Sequence, residues 1–221
     1  KMKNKIERDE KLKIAISRLK LKFMKNTDAL LHGDLHTGSI MVTKNDTKVI
    51  DPEFAFYGPM GFDIGALIAN LLMSFFSQTG HEKKFGERKK YKKWLLEIIK
   101  TIWIKFEKKF LKLWETENYG DAYPKVLFKK NSKKMILEKK MYMQNLFEET
   151  ISYAGAKIIR RIYGFAHNID FEWIENTKVR ANCEYKASSL AIEMLKNTNS
   201  FKSINDLIKV AKRNENMNVK L

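Results

Sequence analysis

The chain has 221 residues, 44% of them apolar and 31% charged, enough for one good-sized domain with a real core. Its formal net charge is +17, and its one cysteine, Cys183, excludes an internal disulfide framework and fits a reducing compartment. The apolar run Ile64 to Phe76 is too short for a membrane helix, and the lysine-rich start leads into no apolar signal segment. Lysine supplies 36 of the 43 basic residues, and residues 83–140 carry 19 Lys and Arg against seven Asp and Glu. Base readout and planar phosphate clamping favour arginine, so the charge reads as a solvated face rather than a nucleic-acid footprint.

In chain order, residues 1–25 carry apolar positions at helical spacing, from Ile6 to Leu21, and predict an amphipathic helix. A break follows at Asn26-Thr27-Asp28. Ile40-Met41-Val42 and Lys48-Val49-Ile50 are short β-like runs around Lys44-Asn45-Asp46-Thr47, which predicts a β-hairpin. A helix is expected from Asp63, as its N-cap, to about Phe76. Further helices are expected over 85–116, with a Trp94-to-Trp114 apolar stripe, and over 130–163, ended by Gly164. Shorter ones follow near 171–175, 177–197 and 203–213. The fold class is therefore α+β, mostly α-helical, with a small β-hairpin.

Chemistry concentrates in Leu31-His32-Gly33-Asp34-Leu35-His36-Thr37-Gly38-Ser39, followed by Val49-Ile50-Asp51-Pro52-Glu53. With the hairpin turn centred on Asn45, Ser39 lies opposite Asp51. That register brings Asp34, Ser39, Asp51 and Glu53 to one end of the ribbon. Three carboxylates gathered there repel each other unless a cation sits among them, and hard oxygen donors suit Mg²⁺. Phosphoryl transfer needs this combination: one carboxylate for the nucleophile's proton, others for the metal that neutralises phosphates.

His32 to Ser39 resembles the catalytic loop of the aminoglycoside phosphotransferase and choline kinase superfamily, which has a protein-kinase-like fold. Val49 to Gly65, which contains Asp51-Pro52-Glu53, is more closely similar to the S-methyl-5-thioribose kinase family. Ala154 to Gly164, with Arg160-Arg161, resembles that family's twin-arginine segment. The resemblance implies ATP-dependent phosphorylation of the sugar's 1-hydroxyl in methionine salvage, with ATP and Mg²⁺ as cofactors. It further implies a cytoplasmic homodimer. Asp34 would be the catalytic base touching the substrate, and Arg160 and Arg161 would be substrate-binding. Asp51, Pro52 and Glu53 would bind ATP, with Asp51, Glu53 and Ser39 as metal ligands. Ser39 stands where most of the superfamily has Asn, a departure shared with the methylthioribose kinases. Neighbouring helical residues diverge by about 100°, so at least one arginine, rather than both, is expected at the substrate.

His32 and His36 read as loop-holding residues, Asp63 as a cap that also braces the loop, and Cys183 as a small core residue. No Gly precedes Gly33 and no β-rich region precedes the loop. The chain is thus expected to be a single C-terminal lobe over 1–221, without the nucleotide-binding lobe and weak or inactive alone. Alternatives are a kinase for an aminoglycoside, choline or homoserine, and a non-catalytic remnant that serves as a binding module.

Overall fold

A computed structural model describes residues 2–117, 122–124, 126–128 and 132–219. The chain opens with two helices, α1 (Met2–Arg8) and α2 (Glu10–Lys25), where a single helix was expected. Asp9 divides them. Its backbone is extended and its carboxylate accepts from Leu12 N–H at 3.0 Å, so it caps α2 instead of continuing α1. Lys196 Nζ closes on the same carboxylate at 2.6 Å and ties α2 to a late helix.

Two antiparallel strand pairs follow. β1 (Ala29–Leu31) pairs with β4 (Phe56–Gly58), and β2 (Ile40–Val42) pairs with β3 (Thr47–Val49). The β2–β3 hairpin matches expectation, whereas the β1–β4 pair was not anticipated. Three-residue strands give too few alternations to stand out in a sequence.

The hairpin register differs from the expected one by a residue. Ile40 faces Val49 and Val42 faces Thr47. Thr43 N–H donates to Asp46 O at 2.8 Å, and Thr43 Oγ1 accepts from Asp46 N–H at 3.0 Å. This closes a two-residue Lys44-Asn45 loop, not one centred on Asn45. Ser39 therefore opposes Ile50, whose N–H donates to Ser39 O at 3.0 Å, and Asp51 lies beyond the ladder.

The remainder is helical: α3 (Gly61–Ser77), α4 (Lys89–Thr116), α5 (Lys133–Tyr163), α6 (Ile169–Glu172), α7 (Thr177–Lys196) and α8 (Ile204–Glu215). The expected start of α5 at 130–131 lies outside the described residues, and Ser132 caps that helix by accepting from Met135 N–H. Gly164 ends it, its N–H bonded to Arg160 O at 2.9 Å. α4 starts at Lys89, four residues later than expected, and Trp94 at its start is half exposed and stacked on Tyr91 rather than buried. Among the described residues, no helix is long and apolar enough to cross a membrane.

One core joins α3, α4, α5, α7 and α8 around Phe76, Phe147, Ile151, Leu190 and Leu207. A smaller cluster of Leu12, Leu19, Tyr153 and Leu195 fastens α2 to α5 and α7. α3 and α5 approach most closely at Gly65. A Cβ added there would lie 2.6 Å from Thr150 O and 2.9 Å from Tyr153 Cβ. Both atoms belong to the backbone or to the base of a side chain, so neither can swing away.

Gly65→Ala is expected to destabilise the chain by about 2–3 kcal/mol through this overpacking. Urea unfolding of the variant checks it, and a loss within 0.5 kcal/mol of zero would show that the helices separate at little cost.

Candidate active site

The loop from His32 to His36 has no ladder partners of its own, so its amides must find acceptors elsewhere. Asp63 supplies two. His32 N–H donates to Asp63 Oδ2 at 2.6 Å, and Gly33 N–H donates to Oδ1 at 3.1 Å. Asp63 is buried. Contrary to expectation, it is not the N-cap of α3. The helix begins two residues earlier, just after Pro59, with Met60 at the cap position and no side-chain cap bond. The carboxylate instead serves the loop, and the expected bracing role is what the geometry shows. Two turns further along α3, Asn70 Oδ1 accepts from Thr37 N–H at 3.1 Å and Thr37 Oγ1 at 2.6 Å.

Gly33 has φ +87°, and a Cβ there would sit 2.1 Å from Phe54 O. Only glycine lets the loop cross the 52–55 segment this closely. His32 spans the gap to β3. Its Nε2 faces Ile50 O at 2.8 Å, and its Nδ1 accepts from Asp34 N–H at 3.3 Å. A carbonyl only accepts, so the ring is the Nε2–H tautomer. His36 Nδ1 accepts from Gly38 N–H at 3.0 Å, while its Nε2 lies 3.8 Å from Asp34 Oδ2. Both histidines hold the loop.

Asp34 is one-third exposed and faces α5 across a groove of about 220 Å³, lined also by His36, Asn70, Met73, Lys157 and Arg161. Lys157 Nζ donates to Asp34 Oδ1 at 3.3 Å, and Arg161 Nη2 lies 3.8 Å from the same oxygen. Lys157 and Arg161 are one helical turn apart and so share a face. Arg160, between them in register, is exposed and does not line this groove. The twin arginines thus separate, as their 100° offset requires. Lys157 was not singled out from the sequence. Its one signal was its i, i+4 relation to Arg161, which is common on lysine-rich helices.

Partial burial by itself pushes the Asp34 carboxyl up. The Lys157 charge and hydrogen bond, with His36 and Arg161 behind them, outweigh this and hold it below the ordinary aspartate value. Lys157 is shifted down. Burial is the main cause, Asp34 opposes it incompletely, and Arg160 and Arg161 add to it. Glu149, also on α5, is pushed up by burial and accepts from Gly61 N–H at 3.1 Å at the start of α3.

The other expected site residues lie around the end of β3. Asp51, Pro52 and Glu53 are exposed, and neither carboxylate has a hydrogen bond or ion pair among the described residues. Asp51 has φ +66°, unusual for a residue with a Cβ and worth about 1 kcal/mol of strain or more. Ser39 is buried, and its hydroxyl accepts from His36 N–H at 3.1 Å and donates to His36 O at 2.9 Å. No group of three or more His, Cys, Asp or Glu side chains gathers as a metal cluster among the described residues. The expected gathering of Asp34, Asp51 and Glu53 is not seen as a three-carboxylate cluster among the described residues, and Asp51 lies one residue past the ladder. Two exposed hard-oxygen donors two residues apart still suit Mg²⁺, which takes one or two carboxylates and completes its shell with phosphate and water. A larger groove of about 650 Å³ between α2 and α7 has no carboxylate in its lining.

Residues 5–88 match the phosphotransferase enzyme family, APH. Methylthioribose kinase 1 of Oryza sativa subsp. japonica is 48% identical over 205 residues, which is 92% of this chain and 47% of the rice protein. Over most of its length the chain is similar in sequence to methylthioribose kinases. That of Escherichia coli O45:K1 is 42% identical over 92% of the chain and 48% of its own length. That of Bacillus cereus strain 03BB102 is 42% identical over 85% of the chain and 43% of its own length. The chain spans about half the length of these curated relatives.

Two outcomes follow. Asp63→Ala strands the His32 and Gly33 amides and is expected to cost about 2–4 kcal/mol, with faster hydrogen exchange at those two amides. Asp34 should titrate below its ordinary value of 3.8. A depressed folded-state pKa contributes stability above the unfolded-state value, lost as pH falls through the folded one. Carboxyl ¹³C NMR of wild type and Lys157→Met checks this. The variant value should rise, and an unchanged one would remove Lys157 as the cause.

Proposed function

We propose that this chain is the catalytic, C-terminal lobe of an ATP- and Mg²⁺-dependent phosphotransferase that acts on the 1-hydroxyl of S-methyl-5-thioribose. The observation that carries this reading is Asp34, held ionised by Lys157 in a small groove, in a chain similar in sequence to methylthioribose kinases.

Asp34 accepts the hydrogen bond of the sugar hydroxyl and orients its lone pair at the γ-phosphorus. The new O–P bond forms as the bond to the β-phosphate oxygen breaks. ADP leaves with that electron pair, and the hydroxyl proton passes to the carboxylate. A low pKa keeps Asp34 in its accepting form at neutral pH. Arg161, and Arg160 only by a change of rotamer, is within reach of developing phosphoryl charge. Asp51 and Glu53 would hold Mg²⁺, which would neutralise the nucleotide phosphates, with Pro52 fixing their spacing. Ser39 serves the loop through both of its bonds to His36, and any metal contact would use its remaining lone pair. Leu35, Ala66, Met73 and Ile169 give the groove an apolar side that suits a methylthio group.

A cytoplasmic homodimer working in methionine salvage goes with this reading. So does a nucleotide-binding lobe outside these residues, so that the chain alone should bind ATP poorly. The second reading, a kinase for choline or an aminoglycoside, is disfavoured by two cations in the groove against one carboxylate.

The test joins residues 5–215 to the remaining half of the Escherichia coli relative. The chimera is expected to phosphorylate methylthioribose in a coupled ATP assay, and the isolated chain to show little turnover. Asp34→Asn should lower the chimera's kcat by about 10²–10⁴. Turnover of choline or kanamycin but not methylthioribose would overturn the substrate assignment.

A further inference from the structure

The buried cation beside Asp34 is not explained by the roles assigned so far. Lys157 has a side chain only 10% exposed, and its ammonium lies 5.2 Å from the centre of the Phe62 ring. Desolvating an ammonium is costly, and Asp34 at 3.3 Å repays only part of the cost. The residue that shares its oxygen, Arg161, is a second cation. One carboxylate faces two cationic side chains, and the other titratable groups lining the groove are His36 and His167, neither of which adds negative charge. The groove therefore has unspent capacity for an anion and none for a further cation.

We propose that Lys157 sets the charge selectivity of this groove: it admits uncharged polyols, holds their phosphate esters more tightly, and rejects alcohols bearing an ammonium group. When the acceptor hydroxyl takes its place on Asp34 Oδ1, the ammonium is released toward the phosphoryl oxygens, a few ångströms from the same carboxylate. No proton or electron moves through Lys157. It contributes a fixed charge that gains a better partner as the ester forms. Arg161 alone cannot supply this, because it is farther from Asp34 and more exposed. The choice of polyol rests on the phosphotransferase reading, while the charge selection does not.

The test measures binding to the 221-residue chain by isothermal titration, with amide shifts in the groove as a second readout. The probes are methylthioribose, its 1-phosphate and choline. Wild type should bind the ester roughly tenfold more tightly than the sugar, with choline far weaker than either. Lys157→Arg should keep that order. Lys157→Met retains the stem against Phe62 and should bring ester and sugar to within about twofold. Lys157→Glu should favour choline over the ester. Circular dichroism confirms that each variant is folded, and Lys157→Gln replaces any that is not.

An ester-to-sugar ratio unchanged in the folded Met or Gln variant overturns the proposal. So does wild-type binding of choline as tight as that of the sugar, or absence of ester binding at millimolar concentration. A chimera inactive on methylthioribose beside an intact charge order would defeat the substrate assignment and leave Lys157 standing. An active chimera whose ratio ignores Lys157 would do the reverse.

Discussion

Two hydrogen bonds from loop amides to one buried carboxylate, His32 and Gly33 to Asp63, are what the site depends on. The loop that carries Asp34 has no strand or helix to satisfy its backbone, and without Asp63 its amides would face a partly desolvated gap. Asn70 repeats the device two turns along α3 by holding Thr37. His32 extends it to the end of β3 through Ile50 O. One helix face thereby sets the position of the loop and, through His32, of the segment that carries Asp51 and Glu53.

The second constraint is how closely α5 approaches α3. Gly65 lets Thr150 and Tyr153 come within contact of the α3 backbone, and Glu149 bonds the first amide of α3. Eight and twelve residues beyond Glu149, Lys157 and Arg161 then emerge beside Asp34. The electrostatics of the groove follow from this packing. Asp34 is kept ionised chiefly by Lys157, whose own pKa burial lowers. Helices α2 and α4 carry 14 of the 36 lysines, most of them exposed and none of them lining the groove.

The loop motif, the hairpin and the long helices were legible because each has a local signature: Gly beside Asp, turn chemistry between β-branched runs, or apolar positions at helical spacing. The division of the first helix at Asp9 was not, since an aspartate among charged residues resembles any exposed position. The hairpin register slipped by one because Thr43 and Asp46 close the turn with side-chain and backbone bonds that composition does not reveal. That single step places Ser39 opposite Ile50 instead of Asp51. Arg160 and Arg161 looked equivalent as letters, yet only one shares a face with Lys157.

By itself the sequence determined the helical class, the reactive loop and the candidate carboxylates, because these follow from short-range spacing and residue chemistry. The tertiary structure decided which groups meet. The contacts of Asp63 with His32, of Lys157 with Asp34 and of Glu149 with Gly61 join residues 31, 123 and 88 positions apart. Such contacts arise only when the loop, α3 and α5 come together in the folded chain. No local pattern encodes them, since the close approach at Gly65 and the register of one helix against another are properties of the assembled core.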